Sequence, residues 1–213
     1  MEAVGGRLVS DTLQELIADF SIAAVKIGML GSAEIARAVA AFLERHPMRN
    51  VVLDPVFKSS SGAELLEGEG VEVLRDHLLP LADVITPNID EAAALTGLAV
   101  RKVEDLQAAA ARLHELGAHN VVVTGGHLDP PVDLLSMDSG RETKVFTQEK
   151  IITNSTHGTG CAFATALACN LALGKNLIEA TGDAQEYVTL ALRNAIEMGS
   201  GNGPINHLFR GSN

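Results

Sequence analysis

The chain has 213 residues, of which 46% are hydrophobic and 3% aromatic, a composition that fits one globular domain spanning residues 1–213. Its formal net charge of -11 argues against nucleic acids and anionic membranes as partners, because their phosphate groups are bound by basic surfaces. The sequence has neither a long apolar run nor a leader with basic and apolar regions, which predicts a cytoplasmic protein.

Four short runs rich in β-branched residues predict strands that are buried on both faces, at residues 23–27, 50–54, 83–86 and 120–124. Helical periodicities lie between them: one apolar stripe runs from Ile35 to Leu43, and another runs from Leu106 to Leu116 and stops at Gly117. This alternation predicts a mostly parallel sheet between layers of helices, with ligands bound beyond the carboxyl ends of the strands.

The pattern changes in the last third of the chain. Apolar runs at residues 132–136 and 143–146 flank the turn sequence Asp138-Ser139-Gly140, which predicts a β-hairpin. The sheet is therefore expected to gain antiparallel strands here. Two helices are predicted to follow, at about Gly160 to Leu173 and about Leu177 to Met198.

A glycine-containing turn leads into the first of these two helices. Gly158 and Gly160, on either side of Thr159, let the free N–H groups of the helix start approach an anion. In a phosphoryl transfer these donors would face the charge on the moving group. The same field favours a thiolate at Cys161 and predicts a lowered thiol pKa. The alternative is a turn before a core helix with Cys161 as a small filler, and glycine spacing alone does not separate the two.

Polar residues follow two of the predicted strands. A strand ends at Pro87, and the helix after it places Asn88 and Glu91 on one side of its first turn. Oxygen ligands there suit a hydrated Mg²⁺, whereas the alternative is helix capping by Asn88 with Glu91 as the third residue. The two roles are compatible. Asp54 ends an earlier strand, where it can orient a metal-bound water or a substrate group, or only satisfy a turn.

Two further glycine turns follow strands, at Lys26–Gly31 and Thr124–His127. Met29 in the first turn offers an apolar contact for a flat ring, or belongs to the core. Lys26 can reach a phosphate or extend its ammonium group into water. His127 in the second turn is predicted to be a solvated loop histidine.

Six short motifs occur in one order along the chain, at residues 25–30, 53–56, 85–91, 125–127, 156–161 and 203–207. Together they resemble the hydroxymethylpyrimidine/phosphomethylpyrimidine kinase family of the ribokinase-like superfamily. The resemblance implies a three-layer α/β/α sandwich with a mostly parallel central sheet. The glycine-rich segment with which members of the family usually begin has no counterpart here, so we expect the first strands and helices of the family to be lacking.

The resemblance also implies an activity. Members use ATP, with Mg²⁺, to phosphorylate 4-amino-5-hydroxymethyl-2-methylpyrimidine and then its monophosphate, giving the diphosphate used in thiamine biosynthesis. The implied partners are this small pyrimidine and ATP, and the implied assembly is a homodimer. One alternative is a pyridoxal kinase, which has the same fold and a similar flat substrate with a hydroxymethyl group. The other is a nucleotide-binding protein that has lost catalysis.

The family's roles transfer by motif. Cys161 would activate the substrate hydroxyl, and Glu91 would manage the Mg²⁺. The anion hole would be formed by Gly158, Thr159 and Gly160 together with Cys161. The pyrimidine pocket would be lined by Met29 and Val56. The residues expected at ATP or its phosphates are Asp54, Asn88, Thr124, Gly126 and Thr156. Many relatives carry lysine where this chain has Thr124, and a threonine supplies no positive charge but can still bond a phosphate oxygen.

Overall fold

The computed structural model describes residues 3–59, 62–66, 68–126, 128–196 and 201–209. Its strands are β1 (Val25–Ile27), β2 (Val51–Leu53), β3 (Val84–Ile85), β4 (Val121–Gly125), β5 (Val132–Met137) and β6 (Glu142–Thr147). Its helices are α1 (Gly6–Asp19), α2 (Ala33–Arg45), α3 (Glu69–Val73), α4 (Ile89–Thr96), α5 (Val103–Glu115), α6 (Thr159–Ala172) and α7 (Leu177–Arg193). A π-helical turn, Leu74–Leu78, and a 3-10 turn, Leu79–Leu81, continue α3.

The described strands form one sheet in the order β1-β2-β3-β4-β5-β6. Strands β1 to β4 pair in parallel, whereas β5 is antiparallel to both β4 and β6. The predicted parallel sheet and hairpin are therefore both confirmed. Asp138 and Ser139 adopt positive φ angles of 49° and 57° in the hairpin turn, a conformation that short polar residues tolerate better than most.

The sheet lies between two layers of helices, as a three-layer sandwich requires. Val51 and Leu53 of β2 point into the core shared with α2 and α5, whereas Val52 points into the core shared with α6 and α7. All three residues are at most 1% exposed, which explains why β2 is an unbroken apolar run rather than an alternating one. Each such buried side chain contributes about 1.5–3 kcal/mol to folding.

Helix α7 ends at Arg193, so the prediction that it extends to about Met198 is wrong. Asn194 donates from Nδ2 to the carbonyl of Leu190 at 2.8 Å, and the backbone N–H of Asn206 donates to the carbonyl of Ala191 at 3.1 Å. These bonds satisfy the last carbonyls of the helix and divert the chain. Met198 itself, like His127, lies outside the described residues.

Within the described part of the chain, every helix is too short or too polar to cross a lipid bilayer.

Candidate active site

The carboxyl ends of the parallel strands meet at one edge of the sheet. The N–H of Asp54, just after β2, donates to the carbonyl of Ile27 in β1 at 2.8 Å. The N–H of Thr124 in β4 donates to the carbonyl of Pro87 at 2.9 Å, and Asn88 forms a β-bridge with Thr124. The structure thus brings together residues that are up to 97 positions apart in sequence, as parallel pairing predicts.

Asp54 is a buried carboxylate with one nearby cation. It is 4% exposed, and the Nζ of Lys26 lies 2.9 Å from its Oδ2. The approach does not have the angles of a hydrogen bond, and Oδ2 has no hydrogen-bond partner among the described residues. A side chain at position 28 would collide with the lysine ammonium, so Gly28 keeps room for it. Asp54 therefore retains a lone pair for a further donor or cation.

Asn88 and Glu91 form a capping box at the start of α4. Asn88 Oδ1 accepts from the N–H groups of Asp90 at 2.9 Å and Glu91 at 3.0 Å, and Glu91 Oε2 accepts from the N–H of Asn88 at 2.9 Å. The capping interpretation is confirmed, and a role for either residue at Mg²⁺ stays a prediction. Burial raises the pKa of Glu91 from 4.5 to about 8. The hydrogen bond from the N–H of Asn88 lowers this pKa, whereas the negative charge of Asp54 adds to the rise.

Helix α6 begins at a glycine turn that is open in front. Gly158 has a φ of 87°, which favours glycine, and a Cβ added at either Gly158 or Gly160 would meet no atom within 4 Å. Because the first intrahelical bond is donated by Ala162, the amides of Thr159, Gly160 and Cys161 have no acceptor within the helix. The helix start therefore has several N–H groups without an intrahelical acceptor, and their role as an anion hole stays a prediction.

Cys161 differs from its prediction. Partial burial raises the pKa of its thiol, and the negative charge of Asp54 raises it further, although Lys26 acts in the opposite direction. The expected lowering of the thiol pKa is wrong, because burial and the neighbouring carboxylate both favour the protonated form. At neutral pH Cys161 is therefore a thiol and not a thiolate.

The remaining predicted residues lie around the same edge. Met29 follows β1 and is 49% exposed, so it is not a core residue. Val56 is half-buried beyond β2, and Gly126 is exposed beyond β4. Thr156 is exposed just before α6, where its carbonyl accepts from the Oγ1 of Thr159 at 3.2 Å. Contacts of these residues with a pyrimidine or with ATP stay predictions.

A pocket of about 740 Å³ adjoins the site. Its walls come from α6, α7 and the residues around 204–207, and it includes Gly158 and Cys161 but neither Asp54 nor Glu91. It therefore extends from the start of α6 away from the strand ends. Charged side chains line both places: Lys26, Asp54 and Glu91 lie at the strand ends, and Lys175, Asp183 and Glu186 line the pocket. Cys161 is close to both.

One buried residue next to the site was missed by the sequence-based predictions. Asp133 in β5 is 2% exposed, and its Oδ1 accepts from the N–H of Gly125 at 3.0 Å. The signal was present in the sequence, since a single carboxylate interrupts the apolar run from Val132 to Leu135. Such a residue is rare inside a sheet unless it is hydrogen-bonded.

Comparison with known proteins places this arrangement in a family. The sequence model described as phosphomethylpyrimidine kinase matches residues 1–206. The hydroxymethylpyrimidine/phosphomethylpyrimidine kinase of Haemophilus influenzae is 43% identical over 208 residues, which cover 94% of this chain and 76% of that protein. The thiamine biosynthesis bifunctional protein ThiED of Geobacter sulfurreducens is 45% identical over 203 residues, which cover 94% of this chain but only 41% of that protein.

Solved structures are similar in fold as well as in sequence. The pyridoxal kinase of Bacillus subtilis, in its ADP complex, has a TM-score of 0.84 at 36% identity, covering 95% of this chain and 78% of that one. The phosphomethylpyrimidine kinase of Clostridium difficile has a TM-score of 0.77 at 34% identity, covering 88% of this chain and 77% of that one. The fold is thus shared by a pyridoxal kinase and a phosphomethylpyrimidine kinase.

The raised pKa of Glu91 predicts a pH-dependent stability. Because the folded chain holds a proton up to about pH 8 that the unfolded chain releases near pH 4.5, the free energy of unfolding should fall as the pH rises between these values. The contribution is at most roughly 1.4 kcal/mol per pH unit. Glu91→Gln keeps an acceptor for Asn88 but cannot titrate, so urea unfolding at several pH values should show a flatter dependence. Glu44→Gln, at an exposed position on α2, is the control and should keep the wild-type slope. Equal slopes in all three proteins would contradict the assignment.

Proposed function

Because the chain belongs to the phosphomethylpyrimidine kinase family, we propose that it phosphorylates 4-amino-5-hydroxymethyl-2-methylpyrimidine and its monophosphate with ATP in thiamine biosynthesis. The observation that carries the proposal is the open glycine start of α6 beside the pair of Asp54 and Lys26, since phosphoryl transfer depends on positioned donors and charges. The ADP complex of a similar pyridoxal kinase supports ATP as the donor.

The amides at the start of α6 would stabilise the moving phosphoryl group. The N–H groups of Thr159, Gly160 and Cys161 have no acceptor within the helix, and there is open space beside Gly158 and Gly160, so these groups can bond phosphoryl oxygens without first breaking a helical bond. The ammonium group of Lys26 adds positive charge at the neighbouring strand end. Such donors contribute most when charge develops in the transition state.

Cys161 and Asp54 together can remove the hydroxyl proton. A protonated thiol is not a base, so we propose a relay in which Cys161 takes the substrate proton while its own proton passes to the carboxylate of Asp54. The substrate oxygen then bonds to the γ-phosphorus of ATP, and the bond to the leaving ADP oxygen breaks. Asp54 is the proposed acceptor because its carboxylate is the acidic group that acts most strongly on the Cys161 thiol, and the ammonium group of Lys26 lies 2.9 Å from its Oδ2.

The residues present fit a Mg²⁺ ion that arrives with ATP. Magnesium keeps several waters and usually takes one or two protein carboxylates, and the described residues contain no cluster of three or more His, Cys, Asp or Glu side chains suited to a metal. Glu91, with Asn88 beside it, would hold the ion through water. Bound there, Mg²⁺ would neutralise phosphate charge. A cation beside Glu91 would also favour the ionised form of its carboxyl group.

The other predicted contacts follow the edge of the sheet. We assign Thr124 and Gly126 at the end of β4, together with Thr156 before α6, to ATP and its phosphates. Exposed Met29 and half-buried Val56 are assigned to the pyrimidine ring, because both follow strands at the edge where Asp54 lies.

We place the reaction in the cytoplasm, which supplies ATP and keeps thiols reduced. We also propose that the chain forms a homodimer, and light scattering would measure its mass in solution.

Pyridoxal is the second candidate substrate. The TM-score of 0.84 to a pyridoxal kinase supports it, whereas the family match and the identity of 43% to a pyrimidine kinase favour the pyrimidine. Both substrates are flat rings with a hydroxymethyl group, so the same anion hole and thiol would serve either.

A substrate panel tests the proposed function. The purified chain with MgATP should phosphorylate the hydroxymethylpyrimidine and its monophosphate with kcat/KM at least about tenfold above that for pyridoxal, because contacts to ring substituents are worth about that much. Release of ADP and the mass of each product would be measured. Faster transfer to pyridoxal would assign the chain to the second candidate. ATP binding without turnover of any substrate would assign it to nucleotide binding alone.

Replacement of Cys161 tests the proton relay. Cys161→Ala should lower kcat by roughly 10²–10⁴-fold while ATP still binds, because proton transfer by a positioned group contributes about that factor. Cys161→Ser should also be strongly impaired, because a hydroxyl releases its own proton to Asp54 much less readily than a thiol does. Cys169→Ala removes the other exposed thiol of α6, two turns away, and should keep wild-type turnover. Near-normal turnover of Cys161→Ala would remove Cys161 from the mechanism.

Glu91 is tested by the Mg²⁺ dependence of turnover. Glu91→Gln should require roughly tenfold more Mg²⁺ for half-maximal turnover, because loss of a group that orients a metal's ligands weakens metal affinity by about this much or more. The capping bonds from Asn88 to the helix amides remain possible in this variant. Glu44→Gln serves again as the control for loss of one charge. An unchanged Mg²⁺ response would leave Glu91 with its capping role only.

A further inference from the structure

Asp133 is a buried carboxylate that binds three hydrogen-bond donors from three parts of the fold. Oδ1 accepts from the N–H of Gly125 at 3.0 Å, and Oδ2 accepts from the side-chain amides of Gln148 at 2.6 Å and Gln185 at 3.1 Å. None of the ion pairs in the described part of the chain involves Asp133. Burial raises its pKa, and the three bonds oppose the rise.

The three donors join the glycine turn after β4 to the rest of the fold. Gly125 ends β4, Gln148 follows β6, and Gln185 belongs to α7. One carboxylate therefore fixes where the end of β4 lies relative to the hairpin of β5 and β6 and relative to helix α7. A buried carboxylate costs free energy that an apolar side chain of similar size would not, so packing alone does not account for it.

The hydrogen bond to Gly125 acts on a backbone segment that has little room to move. A Cβ at Gly125 would collide with the carbonyl of Val132, so the backbone runs against β5 with no space for a side chain. The N–H of Leu128 donates to the carbonyl of Gly125 at 2.9 Å and closes the turn. At Gly126, by contrast, a Cβ would meet no atom within 4 Å, so this residue faces open space.

We propose that Asp133 is a positioning residue for nucleotide binding: by holding the N–H of Gly125, it sets the direction in which the Gly126 backbone meets a phosphate of ATP. The inference rests on the proposed function, which places ATP at Thr124 and Gly126. Asp133 touches no reacting atom and acts only through the turn. Because all three partners are donors, the role needs acceptor oxygens at this position and not a charge paired with a cation.

The test combines hydrogen exchange with ATP binding in the full chain. In Asp133→Ala the Gly125 amide should exchange at least about tenfold faster, and the dissociation constant of MgATP, measured by calorimetry, should rise roughly tenfold, as expected for loss of one buried hydrogen bond. Asp133→Asn keeps an oxygen for Gly125, and both glutamine amides can rotate to meet its NH₂ group. Both quantities should therefore return to within about threefold of wild type.

Ser136→Ala is the matched control. Ser136 is also 2% exposed in β5, and its Oγ lies 2.8 Å from the Nε2 of His114 on the other face of the sheet. Its loss should lower thermal stability without changing MgATP affinity. Equal loss of ATP affinity in Ser136→Ala and Asp133→Ala at matched stability would show a general structural effect and overturn the proposal.

Gln148→Ala tests the same link if Asp133→Ala does not fold. It removes the 2.6 Å bond but keeps the carboxylate, so the dissociation constant of MgATP should rise by about two- to fivefold. Wild-type ATP affinity in a folded Asp133→Ala would overturn the role of Asp133, and so would wild-type ATP affinity in Gln148→Ala where Asp133→Ala does not fold. If the wild-type chain binds no ATP, the proposed function is overturned, and with it the nucleotide half of the inference. Faster exchange of the Gly125 amide in Asp133→Ala would then still show that Asp133 holds this turn.

Discussion

Parallel pairing of β1 to β4 is the constraint on which the rest of the site depends. Parallel strands all end at the same edge, and the N–H groups just beyond them bond the neighbouring strands, as Asp54 does with Ile27. Burial on both faces of the sheet leaves this edge as the place where polar side chains of the strand connections can meet a ligand. Asp54, Asn88 and Thr124 lie close together for this reason.

The charges at the edge balance locally although the chain as a whole is acidic. Asp54 is buried against Lys26, Glu91 has a pKa near 8, and Cys161 keeps its proton. Burial and mutual repulsion thus hold the negative charge of the site low before a ligand arrives. The proposed anionic nucleotide then meets little repulsion in the site, whereas two ionised carboxylates would repel it.

Kinases of two different substrates share this scaffold, since both the pyridoxal and the phosphomethylpyrimidine kinases superpose on it with TM-scores above 0.75. Because one scaffold carries both activities, substrate choice must come from the side chains at the ring and not from the fold; Met29 and Val56 are the candidates proposed above. Asp133 is buried in the sheet like a core residue, but its hydrogen bond to the N–H of Gly125 reaches the glycine turn after β4.

The sequence by itself determined the parallel sheet, the hairpin, α2, α5 and the glycine start of α6, because apolar period and turn chemistry are local properties. It also identified the family through short motifs. It missed α1, whose inward residues Val9, Leu13 and Ile17 are only partly buried, and it misplaced the end of α7, which depends on distant Asn206. Only the tertiary structure decided the protonation of Cys161 and the partners of Asp133. Both depend on groups that other parts of the fold bring close, charged ones for Cys161 and uncharged donors for Asp133, and such contacts leave no local pattern in the chain.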